Sequence, residues 1–236
     1  MLHVGRCGST VVARLLEQTP RLTWDGEIFE PRIRARLQDP GSDPESFIRA
    51  RVDLARHSYG FETKYLQSHH LGSLKMGLED YVGLLDRIGF THYVTLHRRN
   101  YLRRVVSGVV GRETRTWHAT SDTPTQRTTV RLDPGSVPFG SRKSLLAVFT
   151  EMQEGENSVK SVLEGREVIH LTYEEHVKSD PRLAYRKVCE LAGLSPSRQE
   201  IQLRPTNPQP ISELIENYHD IEQLLQGSEY EWMLTA

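Results

Sequence analysis

Lysine is scarce in this chain: of 30 basic residues, only Lys64, Lys75, Lys143, Lys160, Lys178 and Lys187 are not arginine. Arginine presents a planar fork of donors matched to phosphate, although a genomic composition bias gives the same excess. Cysteine is scarcer still. Cys7 and Cys189 lie far apart in sequence, which argues against a disulfide framework or a zinc cluster and for a reducing compartment. Net charge is only −1 at pH 7, so nothing global attracts nucleic acid or an anionic membrane. No run approaches the roughly 20 apolar residues of a membrane span, and the N-terminus lacks the apolar stretch of a signal peptide. These absences predict a soluble, cytoplasmic protein with no nucleic-acid partner and no membrane span.

What is present is an alternation of strand and helix signals over 236 residues, a length that suits one α/β domain. Residues 1–4 read as the end of a strand, 5–10 as a tight loop and 11–18 as the helix behind it. So short a first strand predicts further residues ahead of Met1. Asp43-Pro44-Glu45 starts a helix, with proline at its first position. Residues 59–65 predict a strand, 78–88 a helix, 91–97 a strand and 100–110 a helix. Ser141 would cap a helix reaching about residue 163; a strand at 167–171 and helices at 182–192 and 211–225 follow. Residues 111–140 are polar and aperiodic, which reads as a lid or acceptor-binding loop. The alternation predicts a three-layer α/β fold, a central parallel sheet covered by helices on both faces.

Two stretches concentrate chemistry. The first is Val4-Gly5-Arg6-Cys7-Gly8-Ser9-Thr10, between a strand and a helix. Glycines there let several backbone N–H groups point at one spot, and the helix behind adds the positive end of its dipole. Ser9 and Thr10 add hydroxyls and Arg6 a full charge, so the spot suits an anion. No lysine precedes Ser9 or Thr10 as a Walker loop requires. No arginine closes a cysteine-phosphatase loop around Cys7, and the Gly-x-Gly-x-x-Gly of dinucleotide folds is absent. The second stretch is His97-Arg98-Arg99-Asn100-Tyr101-Leu102-Arg103-Arg104-Val105-Val106-Ser107, a strand end opening a helix. Four arginines at a helix start oppose the macrodipole unless an anion offsets them. Arg99 and Ser107 are slightly more than two helical turns apart, so both side chains can turn to one side.

Arg-Cys-Gly-Ser-Thr at 6–10 resembles the 5′-phosphosulfate loop of sulfotransferases that use 3′-phosphoadenosine-5′-phosphosulfate (PAPS). Arg99 and Ser107 resemble that family's 3′-phosphate pair, an arginine at a strand end and a serine eight residues on. Leu171-Thr172-Tyr173-Glu174-Glu175, then Asp180-Pro181 and Leu191-Ala192-Gly193-Leu194, is similar to a later family segment. The Arg-Lys-Gly segment that many members close over the 3′-phosphate is not found. The resemblance implies a P-loop-like fold and sulfuryl transfer from PAPS to a hydroxyl of a sugar, lipid or small molecule. It implies donor contacts from Gly5, Arg6, Cys7, Gly8, Ser9, Thr10, Arg99, Ser107 and Tyr173, and it leaves 3′,5′-bisphosphoadenosine (PAP) as product, with no metal. Arg6 would meet the charge of the leaving phosphate, and its very high pKa rules it out as a proton donor. The acceptor hydroxyl needs a base within hydrogen-bond reach. Glu27, after a glycine as in some bacterial members, leads; Glu30, His69, His70 and His118 are rivals. Trp24, Phe29 and Trp117 are candidates for lining an acceptor site. Two other readings stay open: a P-loop-like nucleotide kinase or phosphotransferase, and a non-catalytic phosphate-binding module.

Overall fold

The computed structural model describes residues 1–37, 43–120, 122–123, 128–139 and 141–235. In chain order its elements are β1 (Leu2–His3), α1 (Ser9–Glu17), β2 (Leu22–Trp24), α2 (Pro31–Arg36), α3 (Pro44–Leu54), β3 (Ser58–Gly60), β4 (Thr63–Lys64), α4 (His70–Leu74), α5 (Leu78–Ile88) and β5 (His92–His97). There follow α6 (Tyr101–Thr114), β6 (Val137–Phe139), β7 (Ser141–Lys143), α7 (Leu145–Val162), β8 (Glu167–Thr172), α8 (Tyr173–His176), α9 (Arg182–Leu191), α10 (Ile211–Leu214) and α11 (Tyr218–Leu225), with a final 3₁₀ turn at Glu231–Leu234. The chain divides into two compact units: Met1–His97 with Gly155–Ile201, and Arg98–Glu154 with Gln202–Ala236.

The first unit is α/β. Four strands form a parallel sheet in the order β4-β1-β5-β8, flanked by helices. Alternate strand residues face opposite sides of the sheet. Tyr93 accordingly joins a core with Leu2, Phe29, Phe47 and Tyr81, while Val94 and Leu96 join Val12, Leu15 and Leu16 of α1 and Tyr185 and Val188 of α9. Because the strands are parallel, their carboxyl ends share one edge. At that edge His3 lies between Lys64 of β4 and Leu96 of β5. The chain first returns to one side of β1 and then to the other, the topology that leaves a crevice outside a strand's carboxyl end.

Residues 59–65 do not make the single strand their composition predicts. Ser58–Gly60 pairs with β2 in a separate ribbon, whereas Thr63–Lys64 pairs with β1. The break falls where the Glu62 amide turns aside to donate to Gly26 O, 2.7 Å away. Gly60 holds the ribbon side because any Cβ there would sit 2.4 Å from the Trp24 ring.

The second unit has its core on α6, where Val105, Val106 and Val109 pack with Phe149, Met152, Ile211 and Ile221. Three expectations change here. The helix expected from Ser141 begins at Leu145, with Ser144 Oγ accepting from the Ala147 amide, and Ser141 belongs to the β6–β7 hairpin. The helix expected over 211–225 breaks before Tyr218, because the Asn217 side chain bonds both the amide and the carbonyl of Leu132. In the 111–140 stretch, residues 111–114 continue α6, and Val130, Leu132 and Val137 are buried core. Positions 121, 124–127 and 140 lie outside the described residues.

Candidate functional site

The turn after β1 takes a backbone shape that only its glycines make easy. Gly5, Arg6 and Gly8 all have left-handed φ, 76°, 56° and 84°. Gly8 has a second reason to be glycine: a Cβ there would lie 2.8 Å from Val177 Cγ1 and 3.0 Å from Tyr173 Cδ2. Tyr173 therefore packs against the turn. Gly8 is also the N-cap of α1, with no side chain bonded to the helix amides and no acidic residue in the first turn. A nine-residue helix with an uncapped, acid-free start is a favourable place for an anion. The other members of the turn divide by direction. Cys7 is fully buried in the core with Val12 and Leu15, which leaves only its backbone at the turn. Ser9 is buried and Thr10 half-buried in the first turn of α1. The Gly5 amide donates to His3 Nδ1 at 3.1 Å.

Beside the turn lies a cluster of charged and polar groups. The side chain of Lys64 runs over Gly5, where a Cβ would come 3.3 Å from Lys64 Cε, and its ammonium reaches Glu27 Oε2 at 2.5 Å. Glu27 follows Gly26, whose φ of 68° turns the chain back from β2. His70 Nε2 stands 3.7 Å from Glu27 Oε2, and His3 Nε2 stands 3.8 Å from Oε1. The same His3 Nε2 lies closer to Glu62 Oε2, at 3.3 Å. Burial pushes the Glu62 carboxyl above the ordinary carboxylate range. Burial first, and the Lys64 charge second, hold the His70 imidazole down to about 3, so it is neutral at physiological pH.

No protein-family model, curated protein or solved structure matches this chain. The site is therefore read from its own chemistry.

The rivals for the base separate cleanly. Glu30 is the N-cap of α2, its carboxylate accepting from the amides of Arg32 and Ile33 at 2.9 and 3.2 Å. His70 accepts the Lys64 amide on Nδ1 at 3.1 Å, which leaves its other nitrogen carrying the proton. His69 is the residue before α4, and His118 is exposed in the second unit. Glu27 is the carboxylate that shares Lys64 and His3 with the turn. His3, Glu27 and Glu62 also offer three possible metal-ligand atoms within 4.8 Å of one another. With Nδ1 of His3 accepting from Gly5, however, the Nε2 proton occupies the position where a metal would need a lone pair.

In the second unit Asn100 caps α6, its side chain accepting from the Arg103 amide at 2.8 Å. Arg99 is exposed just before that cap, and Ser107 is buried within the helix. The basic run is not all waiting for an anion. Arg104 is wholly buried, and Arg103 donates to the Gln209 carbonyl at 3.0 Å, so two of the four arginines are built into the unit. Among the aromatic candidates, Phe29 is core, 6.2 Å from the Phe47 ring; Trp24 covers Gly60 and bonds Glu62; Trp117 is exposed. No helix among the described residues is long and apolar enough to cross a membrane.

Sequence reasoning passed over His3, Glu62 and Lys64. The available signal was their place at strand ends, since charged and imidazole groups in the last residues of short strands fall on the sheet edge where ligands bind.

Proposed function

We propose that this protein is a PAPS-dependent sulfotransferase with a P-loop-like first unit. The observation that carries the reading is the Gly5–Gly8 turn at the carboxyl end of β1, leading into an uncapped helix and bordered by Lys64, Tyr173 and Glu27. An anion fits that turn: amides of a helix start, a left-handed arginine and a nearby ammonium all favour negative charge, and the approach of the Tyr173 ring leaves no room for a Cβ at Gly8. In this reading the turn takes the 5′-phosphosulfate, and Tyr173 flanks it. Arg99 and Ser107 are assigned the 3′-phosphate on their sequence setting.

The acceptor, a sugar, lipid or small molecule, gives its hydroxyl proton to Glu27 as its oxygen attacks sulfur. The bond between sulfur and the 5′-phosphate oxygen breaks on the opposite side, and PAP leaves with its charge met by Arg6, Lys64 and the α1 amides. The balance closes without redox chemistry: one S–O bond forms, one breaks, and one proton moves to Glu27.

The test uses labelled donor and a panel of hydroxyl acceptors. Wild type should transfer label, and Glu27→Gln should bind PAP normally while losing turnover by about 100-fold or more, the upper part of the range for general-base loss. Unchanged turnover in Glu27→Gln would remove the base, and metal-dependent ATP hydrolysis by the wild type would favour a kinase instead.

A further inference from the structure

Two histidines on different elements make the same pair of contacts. His3, at the end of β1, accepts the Gly5 amide on Nδ1 at 3.1 Å, and its Nε2 faces both Glu62 Oε2 at 3.3 Å and Glu27 Oε1 at 3.8 Å. His70, opening α4, accepts the Lys64 amide on Nδ1 at 3.1 Å, and its Nε2 faces Glu27 Oε2 at 3.7 Å. A backbone N–H can only donate, so each Nδ1 must present a lone pair, and in the neutral ring the proton must then sit on Nε2. The tautomer of both rings follows from the backbone without reference to function.

We infer that His3 and His70 are positioning residues for Glu27: the Nε2–H of His70 is aimed at Glu27 Oε2, and the Nε2–H of His3 stands between Glu27 Oε1 and Glu62 Oε2, which holds Glu27 against a second, buried carboxyl. This rests on the sulfotransferase reading above. The separations of 3.7–3.8 Å are longer than hydrogen bonds, as catalytic contacts often are before substrate arrives, and small movements of Glu27 would close them. The groups facing Glu27 are Lys64 from β4, His70 from α4 and His3 from β1, and the Nε2 of His3 also faces Glu62 Oε2. The arrangement also ties base to donor site. His3 is held by Gly5, the first residue of the turn, and His70 is held by the amide of Lys64, whose side chain covers Gly5. A change in the turn therefore reaches Glu27 through two short paths. The neutral His70 ring suits this work because it fixes direction without adding a second full charge beside the base.

Two measurements test this. Long-range ¹H–¹⁵N NMR of the histidine-labelled wild type should show both rings as Nε2–H tautomers; an Nδ1–H signal from either ring overturns the inference whatever the enzyme does. The second is a mutant cycle. His3→Asn and His70→Asn each keep an acceptor for the backbone amide and lose the donor toward Glu27. Each should leave PAP affinity within about twofold of wild type and lower kcat by about tenfold, the lower end for residues that orient a reactive ligand. In a Glu27→Gln background the same changes should cost nothing further. His3→Gln and His70→Gln, which return an N–H near the Nε2 position, should recover part of the loss. Equal losses with and without Glu27, or full activity in folded Asn variants, would overturn the positioning role. If the wild type neither binds PAP nor transfers label while the tautomers are as stated, the sulfotransferase reading falls and the positioning role falls with it.

Discussion

At the scale of single residues, the molecule places strain and buried charge where the proposed chemistry is. Arg6 is not glycine, yet it adopts φ 56°, a conformation that costs an L-residue roughly 1 kcal/mol. Arg6→Gly should therefore gain about 1 kcal/mol in urea unfolding while losing most of the PAP-induced thermal shift. A variant that is both less stable and fully binding would contradict the role given to Arg6. Glu62 makes a prediction about pH. Its folded-state carboxyl is raised, chiefly by burial, so the folded state holds the proton more tightly than the unfolded chain does. Wild type should thus lose stability relative to Glu62→Gln as pH climbs above about 4.5 and through the raised value, and the two proteins should converge below it. Urea midpoints measured from pH 4 to 8 check the sign, and a difference independent of pH would refute it.

At the scale of elements, caps and breaks explain both what was legible and what was not. Asp43-Pro44 announced α3, and the structure puts Asp43 at the N-cap with Pro44 first in the helix. The strong periodicities at 78–88 and 182–192 gave α5 and α9 almost to the residue. Two of the failures share a cause. A local pattern was outcompeted by a side chain or amide bonded far along the chain: Asn217 to Leu132 in the split last helix, and Glu62 to Gly26 in the divided strand. Such partners leave no mark in a window of ten residues. Asn100 combines both roles, capping α6 and donating from Nδ2 to the Met233 carbonyl at 2.9 Å. Asn100→Ala should lower stability by about 1–3 kcal/mol, the cap together with a stranded carbonyl, without changing the slope of urea unfolding. A loss under 0.5 kcal/mol would mean neither contact matters.

At the scale of the whole molecule, the anion turn was readable because its glycines and basic residue are contiguous. Of the rest of the cluster, Glu27 and His70 were candidates from the sequence, whereas His3, Glu62 and Lys64 were not, because the five come from separate segments that only the parallel sheet and its connections assemble. The two arginine-bearing motifs fall in different compact units, the turn in the first and Arg99 with Ser107 in the second, and β5 ends at His97, one residue before the second begins. The proposed function assigns the donor's 5′-phosphate to the turn and its 3′-phosphate to Arg99. A ligand bound only by the folded state adds about 2.7 kcal/mol at a hundredfold excess over its Kd, so calorimetry and thermal shift should agree. The deciding measurement is the affinity of wild type, Arg6→Ala and Arg99→Ala for PAP and for adenosine 5′-monophosphate, which lacks the 3′-phosphate. Wild type should prefer PAP strongly; Arg6→Ala should weaken both ligands, and Arg99→Ala should weaken PAP by tenfold or more while leaving the monophosphate unchanged. Equal affinity of wild type for the two nucleotides, or an Arg99→Ala protein that still distinguishes them, would contradict the account.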